Sequence, residues 1–158
     1  MKKKEILHLQ KTLIKKIICE HNDLVSLTMN KYVEDILSIV DLMFLSLSKG
    51  GTIFWCGNGG SASDSQHLAA ELVGKYKLVR KPLRSISLTA DTSVLTCVSN
   101  DFGYENLFSR QIEALGKVGD VLVILSTSGE SKNIIKAVEA ARNNDLITVG
   151  LLGGKKNK

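Results

Sequence analysis

Two short segments of the chain bring together the residue types that binding an anionic ligand requires. Asn58-Gly59-Gly60-Ser61 follows a short β-favouring run and opens a helical pattern. Its glycines tolerate positive φ and close backbone approach, while the helix start offers unpaired N–H groups and the positive end of a dipole. Ser126-Thr127-Ser128-Gly129, with Ser131 just beyond, surrounds a second helix start with hydroxyl donors, which a phosphate can use without a permanent positive charge nearby. Neither loop matches G-x-G-x-x-G or the P-loop lysine pattern, so no nucleotide motif stands behind them, and two hydroxyl-rich loops suit a sugar phosphate better. Each loop also has a plain structural use, with Ser61 and Ser128 as helix caps and the glycines as turn formers. Taken singly, neither loop decides between the two.

His67 and Glu71 stand four positions apart on the helix that leaves the glycine turn, which places them on one face. A histidine nitrogen and a glutamate oxygen at this spacing can share a divalent metal, but zinc needs at least one more protein ligand. The alternative is an exposed helix pair. His8 and His21 fall in the amphipathic N-terminal region and receive no role.

The elements that must carry these residues follow from periodicity. Ile6, Leu9, Leu13 and Ile17, then Val33, Ile36, Leu37, Val40, Phe44 and Leu47, recur at helical spacing and predict two helices separated near Asn22 to Ser26. The run from Ile36 to Leu47 is apolar enough to be expected in a core. After Gly50-Gly51 the period changes. Thr52 to Cys56, Ser85 to Leu88, Val121 to Leu125 and Ile147 to Leu151 predict strands; helical patterns follow the first and third, through Leu68, Leu72 and Val73 and through Ile134, Ala137, Val138 and Ala141. Strands apolar along their whole length and alternating with helices indicate a three-layer α/β fold, its mostly parallel sheet covered on both faces, with a helical pair added at the N-terminus. Ligands of such sheets bind beyond the carboxyl ends of strands, where both polar turns fall.

Composition bounds the rest. The chain has 158 residues, 44% hydrophobic and 23% charged, which fits one compact domain and is too apolar for disorder. The net charge of +5 sits at the ends: without Lys2, Lys3, Lys4, Lys155, Lys156 and Lys158, 15 basic residues face 16 acidic ones, a body of −1. A basic nucleic-acid-binding face is therefore not expected. Gly153 to Lys158 reads as a frayed or cut terminus. Cys19, Cys56 and Cys97 form no CxxC pair and are expected as buried reduced thiols. With no membrane-length apolar run and no signal-peptide pattern, a cytoplasmic protein is expected.

Cys56-Gly57-Asn58-Gly59-Gly60-Ser61, Gln66-His67-Leu68-Ala69-Ala70-Glu71-Leu72, Asn100-Asp101-Phe102-Gly103 and Gly119-Asp120-Val121 through Ser126-Thr127-Ser128-Gly129 together resemble the phosphoheptose isomerases, a family of sugar isomerase (SIS) domain proteins. Four motifs in the family's order and separations make the resemblance specific, and it spans nearly the whole chain. It implies a flavodoxin-like fold, with residues 1–50 as N-terminal helices at an oligomer interface and residues 51–158 as the SIS domain. It also implies a homotetramer with active sites between subunits. The implied reaction converts sedoheptulose 7-phosphate to glycero-manno-heptose 7-phosphate, with no organic cofactor, for lipopolysaccharide or capsule heptose. Carried over, the phosphate loop is Ser126, Thr127 and Ser128 with Ser131. The sugar-contacting turn is Asn58, Gly59, Gly60 and Ser61, Asn100 and Asp101 hold substrate hydroxyls, and Glu71 is the acid/base. Some members bind zinc through the counterparts of His67 and Glu71. For work near neutral pH, Glu71 should be partly buried, or oriented by His67 or a metal.

Two departures accompany the resemblance. Lys75 stands where members usually carry an arginine, a point charge in place of a bidentate fork. The sequence also stops at Lys158, before the strand and helix that bring a glutamine and the second acid/base histidine, so weak or no turnover is expected from this length. A non-catalytic SIS module that binds a sugar phosphate or a replication-initiator protein is the alternative, and the presence of Glu71 favours the enzyme.

Overall fold

A computed structural model describes residues 3–153; the remaining termini, including most of the Gly153 to Lys158 tail, lie outside the described residues. The chain divides into two compact units, Met1–Asp41 and Leu42–Lys158.

Helix α1 runs unbroken over Lys3–Lys31 in the first unit and is followed at Val33 by α2, Val33–Ser48, which continues past Asp41 into the second. The expected break near Asn22 to Ser26 does not occur. That stretch has neither glycine nor proline, Asn, Asp and Ser each cost a helix only a fraction of a kcal/mol, and Leu24, Val25 and Leu27 continue the apolar pattern. The bend falls at Tyr32 instead, and hydrogen bonds from Tyr32 N to Thr28 O (3.0 Å) and from Ile36 N to Tyr32 O (2.9 Å) carry the helical ladder through it. No residue of α1 is buried. The apolar run of α2 is likewise exposed rather than in a core, with Val40 at 53% and Phe44 at 71% of full exposure. Helical periodicity says that a face must be covered, not by what.

The second unit holds a parallel sheet of β1 (Ile53–Gly57), β2 (Ser85–Ser87), β3 (Val121–Ser126) and β4 (Ile147–Leu152), in the order β2-β1-β3-β4. Helix α3 (Gly60–Val73) links β1 to β2, and α6 (Lys132–Asn143) links β3 to β4. Between β2 and β3 lie α4 (Thr92–Phe102), a 3₁₀ turn at Tyr104–Asn106 and α5 (Ser109–Leu115), none of which apolar periodicity had marked. Their boundaries are set by local chemistry. Asp91 caps α4, its carboxylate accepting from Ser93 N and Val94 N, and Gly103 ends it at φ 86°.

Strand alternation separates two packing layers. Phe54, Cys56, Leu122 and Ile124 join Val98, Phe108, Ile112, Ile134 and Ala137 in the main core. Trp55 and Leu125, of opposite parity, face a space lined by α3. The central strands are buried throughout apart from the half-buried Ser126, as expected, but β2 and most of β4 are not: both are edge strands. Of the three free cysteines only Cys56 is buried, where desolvation pushes its thiol up to about 12; Cys19 and Cys97 lie on exposed helix surface, against expectation.

The amino ends of the central strands are joined by one carboxylate. Asp120, 4% exposed, accepts from Thr52 N at 2.7 Å and Lys117 N at 2.9 Å, while Val121 N donates to Thr52 O at 3.0 Å. Truncation would strand two backbone donors, each costing about 1–3 kcal/mol when buried without a partner. Asp120→Ala is therefore expected to lower unfolding free energy in urea by about 3 kcal/mol; a loss below about 1 kcal/mol would show that water replaces the carboxylate.

Candidate active site

The register of β1 on β3, Ile53↔Val121 through Gly57↔Leu125, brings the two predicted loops side by side at the carboxyl end of the sheet. Because β1 sends its chain toward β2 and β3 sends its chain toward β4, this is the point where the strand order reverses, the usual ligand crevice of an open α/β sheet.

The glycine turn is built by close approach. A Cβ on Gly57 would lie 2.7 Å from both Cβ and O of Ser61, so only glycine lets α3 start this near the strand. Gly59, at φ 57°, is the N-cap of α3; Ser61 sits inside the helix and does not cap it. In the second loop, Ser126 Oγ accepts from Gly129 N at 3.0 Å, Ser128 Oγ accepts from Glu130 N at 3.2 Å, and Gly129 takes φ 72°. The hydroxyl oxygens thus shape the turn and each keeps its O–H to donate. Ser131 is the N-cap of α6, but its side chain makes no capping bond, so this hydroxyl too is not spent on the helix. Thr127 and Ser128 are exposed. The capping explanation for Ser61 and Ser128 is thereby removed.

A half-buried bond pair that the sequence did not announce joins the glycine turn to the first turn of α6. Asn58 Nδ2 donates to Asn133 Oδ1 at 2.9 Å, and Asn133 Nδ2 donates to Asn58 Oδ1 at 2.8 Å. Tyr104 Oη donates to the same Asn58 oxygen at 2.8 Å. Asn100 and Asp101 stand on the exposed last turn of α4, just ahead of Tyr104, with Asn100 Nδ2 donating to Asp101 Oδ1 at 2.7 Å.

His67 and Glu71 do share a face of α3, their Nε2 and Oε1 atoms 3.2 Å apart, with the Glu71 side chain 34% and the His67 side chain 74% exposed. Both line a cavity of about 600 Å³ walled by Trp55, Leu68 and Leu125. Leu125, the last β3 residue lining this cavity, immediately precedes Ser126 of the hydroxyl loop. Arg80, another lining residue, was missed by motif reading. Its guanidinium donates to Glu71 O and Leu72 O, each at 2.8 Å, and so closes the helix end that carries the carboxylate. Lys75 is exposed just beyond that end. Among the described residues no three His, Cys, Asp or Glu side chains gather as a metal-ligand set. The His67–Glu71 pair supplies two donors, fewer than zinc requires.

A parallel sheet with paired turns at its reversal point defines a doubly wound α/β domain, and within that class the SIS domain family model matches residues 19–153. The chain is 49% identical over 141 residues to a phosphoheptose isomerase of Helicobacter pylori strain Shi470, covering 89% of this chain and 73% of that one. It is 56% identical over 119 residues to one of Akkermansia muciniphila, covering 75% and 63%. A solved phosphoheptose isomerase from Neisseria gonorrhoeae superposes with TM-score 0.86 at 41% identity, covering 93% of this chain and 76% of that one. One from Francisella tularensis superposes at 0.89 with 32% identity, covering 92% and 76%. The chain belongs to the phosphoheptose isomerase family.

If the hydroxyl loop binds phosphate, losing one donor to a charged acceptor should matter: such bonds are worth about 1.5–3 kcal/mol. Ser128 is exposed, so Ser128→Ala leaves the core packing intact while it removes the O–H donor and the bond accepted from Glu130 N. It is expected to weaken inorganic phosphate binding about tenfold in a calorimetric titration; an unchanged affinity would remove Ser128 from the site.

Proposed function

We propose that this chain binds sedoheptulose 7-phosphate across the β1–β3 crevice and interconverts it with glycero-manno-heptose 7-phosphate through an enediol. The observation that carries the reading is that β3 ends in the hydroxyl loop while its Leu125, with Trp55 of the paired β1, walls the cavity that the half-buried Glu71 carboxylate lines. Ser126, Thr127, Ser128 and Ser131 take the phosphate. The turn at Asn58 to Ser61 and the pair Asn100 and Asp101 take sugar hydroxyls.

The chemistry balances without an oxidant or an organic cofactor. Glu71 removes a proton from C1 of the ketose as the C2 carbonyl oxygen gains one, giving the enediol. Return of a proton to C2, with loss of the O1 proton, leaves an aldehyde at C1. Charge that develops on the carbonyl oxygen needs a donor nearby. His67, in contact with Glu71, holds the carboxylate in one orientation for the transfer. His67 and Glu71 are the two residues that would hold a zinc ion, which when bound would steady charge on the carbonyl oxygen.

On this reading we infer a cytoplasmic protein that supplies heptose for lipopolysaccharide or capsule. Among the described residues, no helix is long and apolar enough to cross a membrane. Helices α1 and α2 expose Ile6, Leu9, Leu13 and Ile17 and then Val40 and Phe44, unpartnered apolar surface that supports self-association into a homotetramer. Light scattering is expected to give four times the chain mass of 17.2 kDa; a monomer at micromolar concentration would oppose this.

Proton exchange tests the reaction even if full turnover is slow. In D2O, the chain is expected to incorporate deuterium at C1 of sedoheptulose 7-phosphate, seen by loss of the proton resonance. Glu71→Gln is expected to slow this by at least about 100-fold, the usual share of a positioned base. Equal rates would remove Glu71 from the mechanism, and binding without exchange would favour a sugar-phosphate-binding module.

A further inference from the structure

Three segments that carry candidate ligand contacts meet at one side chain. The glycine turn contributes Asn58, the first turn of α6 contributes Asn133, and the 3₁₀ turn after α4 contributes Tyr104. Asn133 is 2% exposed, and buried amides must find partners. It does not cap its own helix; it reaches a residue 75 positions away. The two amides exchange both hydrogen bonds, forming a ring that fixes separation and rotation together, which a single bond does not. The Tyr104 hydroxyl takes the second lone pair of Asn58 Oδ1, so that oxygen is fully occupied, and Asn58 has one amide hydrogen left for a ligand. Tyr104 does not wander, because its turn is held to α6 by a second tie: Lys136 Nζ donates to Asn106 Oδ1 at 2.9 Å and lies 3.8 Å from Glu105 Oε1.

We propose that Asn133 and Tyr104 are positioning residues: through Asn58 they set the span between the glycine turn and the hydroxyl loop, and so select a sugar phosphate over a bare anion. This rests on the sugar-phosphate reading above. A free phosphate occupies the hydroxyl loop alone and does not sense the span. A sugar phosphate must touch both loops at once, and loses the second set of contacts when their spacing loosens. Neither residue touches ligand in this scheme, and the signature is a change in the ratio of two affinities rather than in either alone.

Titration calorimetry with sedoheptulose 7-phosphate and with inorganic phosphate tests it on the whole chain. Tyr104→Phe removes one neutral hydrogen bond at a side chain on an exposed residue, and is expected to weaken the sugar phosphate about fivefold. Asn133→Leu is near-isosteric and uncharged, and is expected to weaken it at least about 20-fold, while both variants bind inorganic phosphate within about twofold of the parent. Sugar-phosphate affinity within about twofold of the parent in both variants, or equal weakening of both ligands, would overturn the proposal. Should Asn133→Leu fail to fold, Tyr104→Phe decides alone. A parent chain that prefers another sugar phosphate would overturn the isomerase assignment, while the same ratio measured with that ester still tests the span. A parent that binds no sugar phosphate at all would overturn both.

Discussion

The parallel pairing of β1 with β3 is the constraint on which the site depends. It fixes Gly57 opposite Leu125 and so makes neighbours of two turns whose residues are far apart in sequence. From that line the connections run outward, β1 toward β2 and β3 toward β4, and crossover connections in parallel sheets are right-handed. Their helices therefore leave on opposite faces, and the space between the departing chains opens into a crevice. One end of the strand pair is tied by the Asp120 carboxylate and the other by the Asn58–Asn133 amides. Polar groups at both ends are satisfied by partners from across the pair, so sliding the register by a residue would strand all of them at once.

The two faces of the sheet are used differently. One carries Phe54, Cys56, Leu122 and Ile124, buried against the later helices. The other, carrying Trp55 and Leu125, is only partly covered by α3 and leaves the cavity that Glu71 lines. A carboxylate on that helix is neither sealed in the core nor fully in water. Its helix end is closed by Arg80 rather than by a glycine in the left-handed region, Gly74 having φ −82°, so the turn that carries Glu71 is held by a long-armed side chain from the following loop.

Much of this was legible from residue order. β1, β3 and β4 and their helices announced themselves by apolar runs ending in glycine and hydroxyl residues, and the site loops were visible because their residue types are poor choices for anything but turns and ligands. α4 and α5 were not, because short helices packed on one side leave a mixed apolar pattern and are delimited by capping chemistry at Asp91 and Gly103. The exposed N-terminal helices show the reverse case: their periodicity was plain, yet Val40 and Phe44 are uncovered in the single chain.

By itself the sequence determined the strands, most of the helices, the loop chemistry and the family, because each of these is written in local spacing and residue type. Only the tertiary structure decided which side chains meet. Asn58, Tyr104 and Asn133 carry no shared motif, and their bonds exist because sheet order and helix packing bring three separate segments within hydrogen-bond reach. That convergence is a property of long-range contacts, which no local pattern encodes.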